Sequence, residues 1–291
     1  MQDHDLDAIA LRRVLTLSET GLLGGVALSE LATLAGNAVE VELPAGSLVA
    51  TAGARVAAVH VVIDGSLVAS GGSGWRWHRH DIFGAVHVFA DRAARHDVRA
   101  AVATRTLQID AEDLTDLFDD NFGVLVATIR AVAARLADGG IDLSPATPAV
   151  VGVPLGLVDR LFLLRRQLPF THGSVRALAS LAGAATEQTW PAGAVVARAG
   201  DPATCAWWLG DGEVRVLDSD REIARLGAGS AVGLVEMLAG GRHRTTIETT
   251  ATTHALAATA AALVDVIEDH TELGIDVLAA LSRELLDRNA T

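Results

Sequence analysis

The sequence of 291 residues contains no lysine and no tyrosine, and Cys205 is its one cysteine. All 23 basic residues are therefore arginines, which excludes a phosphate-loop lysine and a Schiff-base lysine. A lone cysteine excludes an internal disulfide framework. No apolar run approaches the roughly 20 residues that a membrane-spanning helix needs, and no signal-peptide pattern opens the chain. We expect a cytoplasmic protein without a membrane partner.

The charge excludes another class of partner. The formal net charge is −13, whereas binding to a phosphate backbone depends on clustered basic side chains. We therefore expect no nucleic acid partner.

Sequence motifs of enzymes are also missing. The chain has no Gly-x-Ser-x-Gly elbow, no Walker loop and no paired-cysteine zinc pattern, and Cys205 has no recognisable base beside it. We expect a non-catalytic protein that uses no cofactor.

The chain contains one set of turn signals that occurs twice. Each recurs 147 residues later: the Pro-Ala-Gly run from Pro44 recurs from Pro191, Gly53 recurs as Gly200, and Asp64-Gly65 recurs as Asp211-Gly212. A constant interval across three signals indicates a tandem repeat of one domain. We predict domains at 1–137 and 155–291, joined by a linker at 138–154 that is rich in glycine and proline.

Each repeat has the pattern of a small antiparallel β unit with helices at both ends. Period-two alternation predicts strands at two places in the first repeat: Val39, Val41, Leu43 and Val59, Val61, Ile63. The Asp-Gly pairs predict tight hairpins, because the second residue needs a positive φ. Helical spacing predicts a closing helix in each repeat, with these apolar faces: Leu125, Ile129, Val132, Leu136 and Leu278, Leu281, Leu285. The fold class is thus mainly β with helices.

The order of leading helix, Pro-Ala-Gly turn, Asp-Gly hairpin and a later glycine followed by an arginine resembles the cyclic-nucleotide-binding domain of the catabolite activator protein and of protein kinase regulatory subunits. The resemblance implies two tandem antiparallel β-rolls, each flanked by N- and C-terminal helices. It also implies a phosphate-binding cassette in each roll. In that cassette a short helix and an arginine hold a cyclic phosphate, and a glutamate takes the ribose hydroxyl.

In the second repeat the resemblance implies a ligand site at Gly233, Arg244 and Thr245. Leu234 stands where the family has its glutamate, and Glu236 is the carboxylate that could replace it. The implied ligand is a cyclic nucleotide such as cAMP or cGMP.

In the first repeat Gly84 matches the start of the cassette, but Ala85 stands at the glutamate position. Arg95 resembles the phosphate arginine displaced by one residue, which would turn it to the other side of a strand. We expect this first pocket not to bind an ordinary cyclic nucleotide. A weaker pattern in the same repeat is a metal site, since His78 and His80 share one side of a predicted strand near Asp81 and His87. Arg76, Arg79 and several acids share the segment, which favours a solvated edge over a metal site.

Two functions remain open. In one, the second roll senses a cyclic nucleotide or similar phosphate ester and moves its closing helix against a protein partner. In the other, both pockets are empty and the rolls form a protein-interaction scaffold. The spacing from Gly233 to Arg244 favours the sensor, whereas Leu234 favours the scaffold.

Overall fold

The computed structural model describes residues 2–71, 75–139, 155–167 and 169–288. These residues form ten helices and four antiparallel sheets of four strands each. No sheet in this part of the chain contains strands from both repeats. The prediction of two helix-flanked antiparallel β-rolls is therefore confirmed.

Tertiary contacts divide the chain into two units. Unit 1 comprises Met1–Ala131 and Ser282–Thr291, and unit 2 comprises Val132–Leu281. Each unit thus contains most of one repeat and the end of the helix that closes the other. The expected linker at 138–154 lies outside the described residues except for Asp138 and Gly139.

The first repeat contains thirteen elements in the described residues. In chain order they are α1 (Gln2–Ser18), α2 (Leu28–Asn37), β1 (Val39–Leu43), β2 (Leu48–Ala50), β3 (Ala58–Asp64), β4 (Leu67–Ala69), β5 (Arg76–Trp77), β6 (Ile82–Phe83), α3 (Ala85–Ala90), β7 (Val98–Ala100), β8 (Thr104–Asp110), α4 (Ala111–Asp120) and α5 (Phe122–Asp138).

The second repeat presents the same elements in the same order. They are α6 (Leu157–Arg165), α7 (Val175–Ala184), β9 (Thr186–Trp190), β10 (Val195–Ala197), β11 (Cys205–Asp211), β12 (Glu213–Asp218), β13 (Arg221–Gly227), β14 (Ala231–Val232), α8 (Leu234–Leu238), β15 (Thr246–Thr249), β16 (Thr253–Thr259), α9 (Ala260–Asp269) and α10 (Thr271–Arg288).

Strand pairing is identical in the two repeats. The sheets of the first have the orders β1-β8-β3-β6 and β2-β7-β4-β5, and those of the second have the orders β9-β16-β11-β14 and β10-β15-β12-β13. The strands β12 and β13 are longer than β4 and β5, and the interval between the repeats grows from 147 to 149 residues across them. The two extra residues of the second copy therefore extend one hairpin and leave the sheet order unchanged.

The Asp-Gly hairpins form as predicted. Gly65 has a φ of +83° and Gly212 a φ of +87°. A Cβ atom at either position would come within about 2.6 Å of a neighbouring threonine, Thr104 or Thr253. Both the backbone angle and the space therefore require glycine.

Burial along two strands departs from the predicted alternation. Residues 59 to 62 of β3 are all buried, because β3 lies between β8 and β6 and α1 packs against it. Val39 of β1, by contrast, is 58% exposed at the edge of its sheet. Strand position within the sheet thus overrides the sequence pattern here.

The closing helices pack through the predicted apolar residues. On α5 these are Leu125, Ile129, Val132 and Leu136, and on α10 they are Leu278, Leu281 and Leu285, all buried. Among the described helices, none combines the length and apolar character needed to span a bilayer.

One polar side chain in the first core links stability to pH. His60 on β3 is buried, with its Nδ1 atom 3.2 Å from the hydroxyl oxygen of Thr106. Burial lowers the pKa of His60 from 6.5 to about 4. At a pH between these two pKa values, His60 binds a proton in the unfolded chain but not in the folded protein. Stability must therefore fall as the pH drops from 6.5 towards 4.

We predict that His60→Gln removes much of this pH dependence. The lowered pKa corresponds to a loss of about 3 kcal/mol of unfolding free energy on acidification. Urea unfolding at pH 7 and pH 4.5 measures it: the wild type should lose more stability than the variant. His96→Gln, at an exposed histidine of the same unit, is the control and should behave as the wild type. An equal loss in His60→Gln and the wild type would contradict the prediction.

Candidate functional site

The cassette of the second repeat is a turn of backbone between two strands. It begins after β14 at Gly233, continues through α8, and returns through a loop to β15. Gly233 has a φ of +77°, and a Cβ atom there would lie 3.1 Å from the carbonyl oxygen of Cys205 and 3.2 Å from the ring of Trp207. Only glycine fits this close approach without strain.

His243 lies inside the roll beside that glycine. Its side chain is 4% exposed, and its ring stacks on Trp207 at a centroid distance of 5.8 Å and an interplanar angle of 28°. Backbone hydrogen bonds fix the loop: the His243 N–H donates to the Asp201 carbonyl at 2.9 Å, and the Gly200 N–H donates to the His243 carbonyl at 2.8 Å.

The ring of His243 has unused hydrogen-bonding capacity. Its Nδ1 atom is buried and has no hydrogen-bond partner among the described residues. Burial lowers the pKa of His243, with a partly opposing effect of Asp201. A neutral imidazole can donate from one nitrogen and accept at the other. The group can therefore bind a hydroxyl or a phosphate oxygen.

Glu236 of α8 is the second buried polar group of the cassette, at 5% exposure. Burial raises the pKa of its carboxyl, and the backbone N–H of Glu236, the Arg244 charge and the backbone N–H of Arg244 only partly offset this. When protonated, such a carboxyl can donate a hydrogen bond and does not repel an anion. Leu234, at the start of α8, is buried as an apolar residue.

Arg244 follows His243 and takes the opposite orientation. Its side chain is 46% exposed, and Nη2 donates to Oδ1 of Asp138 at 2.6 Å. Thr245 is half-buried between Arg244 and β15. The structure thus brings Gly233, Glu236 and the backbone of Arg244 together, while the guanidinium contacts Asp138 within unit 2.

The cassette of the first repeat has the same backbone and a different lining. Gly84 begins α3 with a φ of +98°, and a Cβ atom there would lie 3.0 Å from the Ala58 carbonyl oxygen. Ala94 occupies the position of His243, and Ala85 that of Leu234. His87 replaces Glu236; burial lowers the pKa of His87, and the Arg95 charge lowers it further.

Arg95 is not displaced relative to its counterpart. It follows Gly84 by eleven residues, as Arg244 follows Gly233, and it stands three residues before a buried strand residue, Val98. Arg95 and Arg244 therefore occupy the same position in the two copies. Arg95 is half-exposed, and its Nη2 donates to Oδ1 of Asp287 at 2.6 Å.

The candidate metal residues do not form a site. His80 Nε2 lies 3.0 Å from a carboxylate oxygen of Glu19, and the backbone N–H of His78 donates to Asp81 at 2.8 Å. Within the described ranges no group of three or more His, Cys, Asp or Glu side chains could hold a metal ion.

A match between this chain and a family sequence profile decides the family. The profile of the cyclic nucleotide-binding domain matches residues 40–121 and 187–270, which together exceed half of the chain. The chain belongs to the cyclic nucleotide-binding domain family. Both matches contain the cassettes described above.

The solved structures that are similar to this chain include regulatory subunits of protein kinase A, all at low identity. A regulatory subunit of a cAMP-independent protein kinase A from Trypanosoma brucei is 15% identical, with 91% of this chain and 88% of that chain covered and a TM-score of 0.38. The regulatory domain of Toxoplasma gondii protein kinase A, crystallised with cAMP, is 13% identical, with 94% and 97% covered and a TM-score of 0.37.

A single-domain similarity involves the N-terminal domain of a transcriptional regulator from Streptomyces coelicolor A3(2). It is 22% identical, with 44% of this chain and 96% of that chain covered and a TM-score of 0.42. The search of curated proteins found no significant match. At these identities the similarities do not extend to ligand or partner.

Sequence reasoning on the cyclic nucleotide-binding cassette missed the position of His243. Counting back in steps of two from Ile247, which is buried on β15, gives His243 the inward side. The aspartates opposite Arg95 and Arg244 were also missed. Their recurrence at the interval of 149 residues was the available signal.

We predict that Gly233→Ala destabilises the protein more than Gly193→Ala does. Both positions have a φ near +78°, so each alanine should cost about 1–2 kcal/mol in backbone strain. Only Gly233 is crowded, because nothing lies within 4 Å of a Cβ atom at Gly193. Urea unfolding of the two variants measures the difference. Equal stabilities would show that the cassette can relax around a methyl group.

Proposed function

We propose that this is a non-catalytic, cytoplasmic regulatory protein. It senses a cyclic nucleotide such as cAMP or cGMP, or a similar phosphate ester, mainly through its second domain, without a cofactor. Its partner is a protein bound through its helices, and neither nucleic acid nor a membrane is a partner. The family membership supports a regulatory, ligand-sensing role.

The observation that carries the choice of the second domain is the unpartnered Nδ1 of His243. A buried polar atom without a hydrogen bond costs about 1–3 kcal/mol, and a ligand that binds it recovers that cost. The first cassette has Ala94 at this position, which offers no hydrogen-bonding side chain. Polar chemistry inside the roll is therefore concentrated in the second cassette.

Arg244 supplies the charge for a phosphate. It directly follows His243 in the direction of β15, and its guanidinium is accessible at the surface. A charge-assisted hydrogen bond from arginine to phosphate is stronger than a neutral one. The absence of the family's glutamate at Leu234 removes a ribose contact. We therefore expect affinity in the micromolar range or weaker.

We predict that cAMP or cGMP stabilises the wild type and that Arg244→Ala abolishes the effect. A ligand present at about 100 times its dissociation constant adds about 2.7 kcal/mol to the folded state. Thermal unfolding with each nucleotide measures this. Arg95→Ala is the matched control, since Arg95 is equally exposed and paired to an aspartate at the same distance. It should retain the ligand effect.

If Arg244→Ala keeps the stabilisation and Arg95→Ala loses it, the ligand site lies in the first cassette. If neither nucleotide stabilises the wild type, the scaffold function is favoured.

A repeated set of exposed apolar residues supports that second candidate, the protein-interaction scaffold. Three positions on the leading helices are exposed and apolar in both repeats, again 147 residues apart: Leu11 and Val158, Leu15 and Phe162, Leu28 and Val175. Val158 and Phe162 are four residues apart on α6 and so share one helix face. Exposed apolar residues that are adjacent on one helix face can form an interaction surface.

The surroundings of this surface indicate the chemistry of its partner. Arg165, Arg166 and Arg176 are exposed near Phe162 and Val175, and they form no ion pair within the described residues. A basic border around an apolar centre complements an amphipathic helix with an acidic flank. If the protein is a scaffold, we therefore expect its partner to be an amphipathic helix of this kind.

We predict that Phe162→Ser removes partner binding while the melting temperature changes little, because the side chain is exposed. A protein captured from a lysate by the wild type should also bind the purified wild type directly. This binding should weaken at high salt. The dissociation constant with the variant should be at least about tenfold higher than with the wild type. Ile223→Ser, at an exposed apolar residue of β13, is the control. Unchanged binding of Phe162→Ser would contradict this surface, and a dimer lost in Phe162→Ser would identify a second copy as the occupant.

A further inference from the structure

The two cassette arginines form the same ion pair in both units. Arg95 pairs with Asp287, and Arg244 pairs with Asp138, each with an Nη2 to Oδ1 distance of 2.6 Å. The arginines are 149 residues apart, and so are the aspartates. Surface ion pairs seldom recur by chance with both partners at one interval. The recurrence indicates that the pair belongs to the domain and not to an isolated patch of surface.

In each unit the aspartate comes from the end of a closing helix. Asp138 is the last residue of α5 and belongs to unit 2, and Asp287 is the residue before the last of α10 and belongs to unit 1. In unit 1 a second bond holds the helix end, because Nε of Arg283 donates to the Ala90 carbonyl at the end of α3 at 3.0 Å. The helix end thus contacts both the cassette helix and the cassette arginine.

A carboxylate is the protein group most similar to a phosphate in how it binds arginine. Both are anions that accept N–H groups of the planar guanidinium. Asp138 accepts from Nη2 of Arg244, a donor that a phosphate oxygen of the ligand could also use. We propose that Asp138 is a built-in anionic competitor for the ligand of the second cassette, so that binding of a phosphate ester to Arg244 releases the end of α5. This inference rests on the proposed function of Arg244.

The exposure of the pair suits a reversible competitor. The Arg244 side chain is 46% exposed and that of Asp138 is 77% exposed, so solvent screens their attraction. A phosphate that forms a charge-assisted hydrogen bond with Arg244 can displace a pair of this kind.

The experiment compares Asp138→Asn with the wild type in calorimetric titrations with cAMP and with cGMP. The variant keeps the size of the side chain and removes the competing charge. We expect the dissociation constant of the bound nucleotide to fall about two- to fivefold, the range typical of one exposed ion pair. The control is Glu222→Gln, which removes an exposed acid paired with Arg225 at 2.6 Å on β13, away from the cassette. It should leave the dissociation constant unchanged.

A second measurement follows the helix end itself. In a Cys205→Ala background, an environment-sensitive fluorophore on Gly139→Cys reports on the residue after Asp138. Nucleotide should change its emission with the same midpoint as the calorimetric titration. The change should be smaller when Asp138→Asn is added, because the helix end is already released.

The outcomes separate this inference from the proposed function. If the wild type binds nucleotide and Asp138→Asn binds it equally well, Asp138 is no competitor, while the sensor function stands. If only Asp138→Asn binds, the competitor is confirmed and the wild type does not sense that nucleotide at the concentrations used. If neither protein binds, the sensor function and the competitor are both overturned. Tighter binding in Glu222→Gln as well would assign the effect to net charge and overturn the specific role of Asp138.

Discussion

Each cassette is positioned by the contact between a glycine and the backbone of a neighbouring strand. Gly84 approaches the Ala58 carbonyl at the start of β3, and Gly233 approaches the Cys205 carbonyl at the start of β11. Both glycines have positive φ, so the chain can turn from a short strand directly into a short helix. The path of the following loop, and hence the position of each cassette arginine, depends on this turn.

The two cassettes share this backbone and differ in the polarity of their linings. His243 and Glu236 are buried in the second, where the first has Ala94 and His87. Burying a polar group without a hydrogen-bond partner costs free energy. The polar lining therefore gives the second roll buried groups that a ligand could stabilise. In the first cassette Ala94 is buried and His87 is half-buried. The duplication thus preserved an architecture while the chemistry inside the copies diverged.

The arginines join the cassettes to the closing helices. The end of α5, which closes the first repeat, contacts Arg244 of the second cassette through Asp138. The end of α10, which closes the second repeat, contacts Arg95 of the first cassette through Asp287. The contact is exposed and therefore weak. A weak contact between a pocket and a helix end is suited to being exchanged, because breaking it costs little compared with the binding energy of a ligand.

The repeat, the hairpins, the closing helices and the identity of the family could be predicted from the sequence. They depend on local requirements, such as positive φ at Gly65 and Gly212 or apolar spacing on α5, which a sequence displays directly. The cassette glycines were predictable for the same reason. Whether His243 or Arg244 faces inward follows from strand alternation only once Ile247 is known to be buried, and the register of β15 against its neighbours decides which of its residues are buried.

Only the tertiary structure placed Asp138 beside Arg244 and Asp287 beside Arg95, at sequence separations of 106 and 192 residues. The interval of 149 residues shows that each arginine and each aspartate recurs, but it does not show that they are in contact across such separations. Burial of His60 and full burial along β3 were likewise decided by the elements packed around that strand. The sequence by itself determined which backbone turns were possible, since these depend on single residues, whereas packing between distant segments decided which side chains share a site.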